Sequence, residues 1–162
     1  MRQRSIPLAV SRSFACGLLI LLSGGTGPRV AGADGDADAF VRVRVDTANL
    51  REAPSLDADV VRSAHESEPL EVVARRGAWL KVRDSDGRLA WIHEPLTDRR
   101  PAVVVTRDVV NVRARPGTDH PIVFTAERWV NLLVLGREGQ WLHVEHDVGR
   151  GWVHGSLVWG DS

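Results

Sequence analysis

The residue types that could bind a metal ion come closest together in the segment His143-Val144-Glu145-His146. Imidazole and carboxylate groups are the ligands that zinc takes in proteins. The segment alternates polar and apolar residues as a strand does, and side chains three positions apart on a strand point to opposite faces. We therefore expect the two histidines to diverge, and we predict no metal site.

Candidates for nucleophilic or acid–base chemistry are few. Cys16 is the only cysteine, and it lies in the first 33 residues, which we expect to be removed. No Ser-His-Asp spacing, carboxylate pair or phosphate-cradling glycine run stands out in the rest of the chain. We predict no catalytic residues, no cofactor and a protein that is not an enzyme.

Residues 1–33 have the pattern of a secretory signal peptide. Three arginines in the first twelve residues form a cationic start, residues 14–22 are apolar, and Ala31-Gly32-Ala33 fits an A-x-A cleavage site. The nine apolar residues fall short of the roughly 20 that span a bilayer as a helix. We predict an exported protein of the periplasm, cell wall or extracellular space that begins with an acidic, disordered lead over residues 34–40.

The formal net charge of zero does not describe the exported chain. Removing the four arginines of the signal from the 21 basic residues leaves 17 against 21 acidic residues, a charge of −4. A protein that binds nucleic acid favours a basic surface and a high pI. The balance therefore argues against nucleic acid as a partner, and no later segment is long and apolar enough to insert into a membrane.

The body of the chain is one unit written twice. Asn49-Leu50-Arg51 with Pro54 recurs as Asn111-Val112-Arg113 with Pro116, at an offset of 62. The later anchors are Trp79 with Trp141, Trp91 with Trp152 and His93 with His154. The offset is 61 for the last two pairs, which predicts a one-residue deletion in the turn before the final strand, because a turn tolerates a length change that a paired strand does not.

Both copies consist of short β-prone runs, and no long stretch carries apolar residues at helical spacing. In Trp79-Leu80-Lys81-Val82 the alternation places the two aliphatic side chains on one face, and Leu142 and Val144 repeat them. The predicted strands are 70–74, 79–83 and 89–92 in the first copy and 130–135, 141–145 and 151–153 in the second. The fold class is therefore all-β.

We place the first unit at residues 41–97 and the second at residues 102–160. The connector of residues 98–101 spans at most about 14 Å when fully extended. The two units should therefore touch and behave as a fixed pair.

The ordered anchors resemble the bacterial SH3-like (SH3b) domain family, in two tandem copies. The second copy fits better, because Ser55 replaces Gly117 after the proline and Ala90 replaces Gly151 before the tryptophan. The resemblance implies two small, strongly bent β-barrels of five to six strands. It also implies a binding module, since many relatives are attached to cell-wall hydrolases and bind peptidoglycan or its peptide cross-links.

The candidate ligand-binding residues are Arg115, Trp129, Trp152 and Arg113. Trp129 aligns with Ser67, so we expect it to be exposed in one unit only. Arg115 lies beside the Pro-Gly turn, where it could bind a carboxylate. The repetition of Arg113 as Arg51 leaves two roles open, a structural bond to loop carbonyls or carboxylate binding.

Two functions fit these observations. The first is binding of a cell-envelope component, such as peptidoglycan or an extended peptide, in a groove beside the Pro-Gly loop, with Trp129 and Trp152 as aromatic walls. The alternative is an interaction scaffold or dimerisation module of the envelope that binds no wall polymer. Two roles are open for Trp79, Trp91, Trp141 and Trp152: they fill the barrels and their rims, or one edge of a ring lines a groove for a peptide or glycan.

Overall fold

Each copy of the repeat forms its own seven-stranded antiparallel sheet in a computed structural model that describes residues 40–160. The signal peptide predicted over residues 1–33 lies outside the described residues, and so does the lead predicted over residues 34–40 except for Phe40, which begins the first strand instead. The first copy contains β1 (Phe40–Val43), β2 (Thr47–Arg51), β3 (Val60–His65), β4 (Pro69–Arg76), β5 (Trp79–Arg83), β6 (Leu89–His93), a 3₁₀ turn (Glu94–Leu96) and β7 (Thr97–Asp98). The second contains β8 (Ala102–Val105), β9 (Val109–Arg113), β10 (Ile122–Glu127), β11 (Asn131–Glu138), β12 (Trp141–His146), β13 (Gly149–His154), a 3₁₀ turn (Gly155–Leu157) and β14 (Val158–Gly160).

The two sheets have the same topology. Their strand orders are β3-β2-β6-β5-β4-β1-β7 and β10-β9-β13-β12-β11-β8-β14. The all-β prediction and the duplication are confirmed. Each sheet has one strand more than the resemblance implies, because the first strand of each copy pairs with the short strand that ends it.

The core of each copy follows the alternation in the sequence. Leu80 and Val82 are buried while Trp79 and Lys81 are half-buried on the other face, and Leu142 and Val144 repeat the buried pair. The four repeated tryptophans all lie half-buried outside the two aliphatic cores, so among the described residues they cover the sheets and do not fill them.

Two features of the hairpins bend the sheets and account for the change of offset. β4 pairs with β5 through a register shift between Val72 and Ala74, and β11 pairs with β12 through one between Val134 and Gly136. Such bulges increase the local bend and twist of a strand pair. The turn before the last long strand spans residues 84–88 in the first copy and only 147–148 in the second, where the deletion was predicted.

The two barrels are in contact, as the short connector predicts. All four residues of β8 are buried, although only Val103 and Val105 belong to the second core, so Ala102 and Val104 face away from it. β4 of the first copy contacts β8 and β14. The rings of Phe40 and Trp159 meet edge to face across the contact, with centroids 5.1 Å apart.

Among residues 40–160, no helix is long and apolar enough to cross a membrane.

Candidate functional site

The second copy carries a groove on the outer side of its sheet, next to the loop that contains Pro116 and Gly117. The groove encloses about 320 Å³. Its floor includes the half-buried indole of Trp141, and Val109 and Leu157 supply an aliphatic rim. Its polar lining residues are Asn111, Arg113, Thr118, His154 and Ser156.

The indole of Trp141 is held by a fixed histidine. Trp141 and His154 are partners across β12 and β13, and their rings meet edge to face with centroids 5.3 Å apart. Nδ1 of His154 accepts from the backbone N–H of Ser156, so Nε2 carries the proton and donates to Oε1 of Gln140 at 3.0 Å. The hydroxyl of Ser156 donates to the same Nδ1 at 2.8 Å. The ring orientation and tautomer of His154 are thus set before any ligand arrives.

The equivalent histidine of the first copy is not held in this way. Trp79 and His93 lie at a similar distance, 5.2 Å between centroids. Ala78 and Pro95 stand where the second copy has Gln140 and Ser156, and His93 makes no side-chain bond to the 3₁₀ turn that follows. Only the second copy has the preorganised version of the pair.

The two repeated arginines both bond loop carbonyls. Nη1 of Arg51 donates to the carbonyl of Ala58 at 2.6 Å, and Nη1 of Arg113 donates to the carbonyl of His120 at 2.8 Å. The structural role that the repetition left open is therefore present in both copies. Arg113 also lines the groove, where the remaining N–H groups of its guanidinium can donate hydrogen bonds to a ligand.

The loops that these arginines hold differ in conformation. Gly117 has φ +124°, which side chains rarely adopt, while Ser55 is not among the described residues with positive φ. The hydroxyl of Ser55 instead accepts from the backbone N–H of Asp57 at 3.2 Å. The two turns are different, as the loss of the glycine predicts.

Comparison with known protein families identifies both copies. Two family models, each described as a bacterial SH3 domain, match residues 44–98 and residues 108–158. The two matches together cover more than half of the chain and coincide with the two sheets. The chain belongs to the bacterial SH3 domain family. No curated protein matches it significantly.

Solved structures similar to this tandem SH3 protein include NlpC2 and NlpC1 from Trichomonas vaginalis. NlpC2 is 9% identical over 77% of this chain and 49% of that chain with a TM-score of 0.36, and NlpC1 is 10% identical over 79% and 48% with a TM-score of 0.36. An NlpC/P60 family protein from Bacillus cereus ATCC 10987 is 16% identical over 75% and 56% with a TM-score of 0.35. This chain spans about half the length of these proteins.

The four predicted site residues lie in three different surroundings of the second SH3 domain. Arg113 and Trp152 are partners across β9 and β13, beside the groove. Arg115 is exposed in the loop after β9. Trp129 is 51% exposed in the turn before β11 and lines a separate cavity against the first SH3 domain. Trp129 and Trp152 therefore do not form the two walls of a single groove.

Trp141 and His154 were not among the predicted site residues. The sequence assigned Trp141 to packing and His154 to a solvated or capping position, and the bond that His154 accepts from the backbone N–H of Ser156 is such a cap. The signal was present in the hairpin: residues on either side of a turn that pair in register share one face. Gln140 and Ser156, which have no polar counterparts in the first SH3 domain, mark where that pair is reinforced.

The segment that suggested a metal site is used for aromatic contacts. The ring of His143 stacks on Trp152 with centroids 4.9 Å apart, and His146 lies against Phe124 at 6.5 Å. Within residues 40–160 no three metal-ligating side chains come together.

Proposed function

We propose that this protein is an exported, non-enzymatic module whose second SH3 domain binds an extended peptide of the cell envelope, with the peptide part of peptidoglycan as the first candidate. The observation that carries the proposal is the fixed pair of Trp141 and His154 on the floor of the groove. Binding sites combine an apolar surface with a few placed polar groups and gain affinity when these are preorganised.

The groove residues suit an extended chain. An apolar side chain of the ligand would pack on Trp141 between Val109 and Leu157, while Asn111 and Thr118 are available to the peptide backbone. Arg113, held at one end by the carbonyl of His120, would bind a carboxylate with its remaining N–H groups, and the exposed Arg115 would support it. Trp152 would extend the aromatic surface beyond the groove.

We also propose that the protein has no catalytic activity and that it is exported. The chain after residue 33 has no cysteine, so a thiol nucleophile is not available there. Export predicts that the protein recovered from the envelope begins at Asp34, which N-terminal sequencing would test.

Co-sedimentation with purified peptidoglycan sacculi tests the binding. We expect the wild type to sediment with the sacculi and Trp141→Ala to bind at least about ten-fold more weakly, as expected for the loss of a central aromatic anchor. Trp79→Ala is the matched control, since it removes the equivalent indole of the first SH3 domain and should bind like the wild type. A folded Trp141→Ala variant with undiminished binding would contradict the proposal.

A second function, a scaffold that joins other envelope proteins or a second copy, is favoured by the outermost strands. Val60 and Val61 on β3 are 47% and 45% exposed, and Ile122 and Val123 on β10 are 50% and 49% exposed. An edge strand with exposed aliphatic side chains can accept a further strand. Light scattering decides this case: a dimer that Val61→Asp and Val123→Asp abolish, without sacculus binding, would favour the scaffold.

A further inference from the structure

The contact between the two SH3 domains leaves a cavity of about 280 Å³, which we name the interdomain cleft. The first SH3 domain contributes Arg62, Asp84, Asp86 and Arg88 to its lining, and the second contributes Trp129 and Asn131. Nδ2 of Asn131 also donates to the carbonyl of Glu66 at 3.2 Å, which ties the two walls together.

The charged groups of the cleft are paired with one another. Arg62 donates to Glu68 at 2.5 Å and to Asp84 at 2.9 Å, and Arg88 pairs with Asp86 at 2.9 Å. The other oxygen of Asp84 accepts two loop N–H groups, so this buried carboxylate is fully bonded. A charged ligand would meet no unpaired opposite charge of comparable strength, whereas hydroxyl groups can add to exposed members of the network such as Asp86 and Arg88.

The aromatic wall is held in an unusual backbone conformation. Trp129 has φ +74°, a region that bulky residues rarely occupy, and its side chain is 51% exposed. The guanidinium carbon of Arg128 lies 5.8 Å from the indole centroid, and Arg128 is itself paired with Asp108. The ring is thereby oriented from outside the cleft.

The two SH3 domains differ at the positions that meet in the cleft. Ser67, the counterpart of Trp129, has φ +63°, and its hydroxyl accepts from the buried Arg42 at 2.9 Å. The polar network of the first domain is likewise missing from the second, in which Phe124, Val130 and His146 replace Arg62, Glu68 and Asp84. The same strand topology forms with either set, so the topology alone does not explain why the first domain carries the polar network and the second carries Trp129.

We propose that the interdomain cleft binds the ring of a neutral saccharide. The apolar face of a pyranose would stack on Trp129, and its hydroxyl groups would bond Asp86, Arg88 and Asn131. Oδ1 of Asn131 is closed to solvent and has no hydrogen-bond partner among the described residues, so the amide has to turn toward the cleft to accept from a hydroxyl group. The proposal does not depend on the peptide groove, which uses Trp141 and shares no lining residue with the cleft.

Titration calorimetry of the full chain with chitotriose, a neutral trisaccharide, tests the proposal, with cellotriose as a second probe. We expect saturable binding of at least one of them and a shift of the Trp129 indole N–H resonance. Trp129→Gly suits the left-handed backbone at this position and should fold, yet we expect it to lose about ten-fold or more in affinity. Asp86→Asn should also weaken binding.

Trp141→Ala is the control that separates this site from the peptide groove, and it should bind the saccharide like the wild type. Undiminished saccharide binding by Trp129→Gly would overturn the proposal, as would the absence of saturable binding to either neutral probe. Binding that is restricted to a charged probe, such as spermidine, would also overturn it. Loss of sacculus binding in Trp141→Ala with saccharide binding intact would support both sites separately.

Discussion

At the scale of single residues, Asp84 is a buried carboxylate of the first SH3 domain. It is 5% exposed, bonds the guanidinium of Arg62 and accepts the backbone N–H groups of Asp86 and Arg88. Removing one partner of a buried pair leaves the other charge and the loop donors without compensation. We predict that Asp84→Ala lowers the free energy of unfolding by about 2–3 kcal/mol in urea denaturation.

The control for this prediction is Asp86→Ala in the same loop. Asp86 pairs with Arg88 at the surface, where ion pairs contribute about 0–1 kcal/mol. Equal effects of the two substitutions would mean that burial does not distinguish the two carboxylates.

Arg62 remains charged throughout the neutral range. Burial alone would lower the pKa of its guanidinium, but the hydrogen bonds and charges of Glu68 and Asp84 together outweigh burial and raise that pKa. A raised pKa adds stability below the pKa of the unfolded chain, and that stability is lost only as the pH rises through the folded pKa. The contribution of Arg62 is therefore constant at neutral pH and disappears only in strong alkali.

Residue roles could be predicted where the two copies could be compared. The exposure of Trp129 followed from its alignment with Ser67, whereas the repetition of Arg51 and Arg113 left the loop-carbonyl bonds as one of two roles. The interdomain cleft was not predictable in this way, because it joins residues of different copies whose meeting depends on how the barrels pack.

At the scale of the structural elements, the loop after β9 is the place where a glycine is required. Gly117 has φ +124°, whereas the first SH3 domain forms a different turn with Ser55. We predict that Gly117→Ser lowers the free energy of unfolding by about 1–3 kcal/mol, since a side chain is strained in this region. Thr118 of the same loop lines the groove, so binding to sacculi should also weaken.

Ser55→Gly is the matched control for that turn. Because the first turn does not use the positive φ, we expect this change to alter stability by no more than about 1 kcal/mol, in the unfavourable direction. A Gly117→Ser variant as stable as the wild type would contradict the argument.

The strands of the central hairpins, β4 to β6 and β11 to β13, were predicted from the sequence, whereas β1 to β3, β8 to β10 and the short closing strands were not. β5 and β12 show two buried aliphatic residues between outward residues, a pattern visible in the sequence. β7 has only two residues, and the 3₁₀ turn before it is anchored by Thr97, whose hydroxyl donates to the carbonyl of Glu94 at 2.8 Å. Such short elements are stabilised by tertiary pairing with β1, which no local pattern encodes.

At the scale of the whole molecule, the first strand of each copy decides how the barrels meet. In β1 the outward residue Arg42 is 1% exposed and is satisfied by Asp98, to which it donates two bonds of 2.8 Å. In β8 the equivalent residue is Val104, which is 3% exposed and lies against the other domain. The same strand position thus holds an internal ion pair in the first copy and an apolar contact with the other domain in the second copy.

This difference leads to a prediction about the motion of the two halves. In the wild type, residues 40–98 and 102–160 should share one rotational correlation time in ¹⁵N relaxation, because Ala102 and Val104 are buried against the first domain. Val104→Asp would place a carboxylate in the cleft that Asp84 and Glu68 also line, and both of these acids are already paired with Arg62. Burying a further charge there is strongly unfavourable. We expect two shorter correlation times for this variant.

Val109→Asp is the control, since Val109 is 59% exposed on β9 and should leave the shared value unchanged. Independent tumbling of the wild-type halves, or a single correlation time for Val104→Asp, would mean that the apolar face of β8 does not hold the pair together, and the cleft that the barrels form between them would lose its second wall.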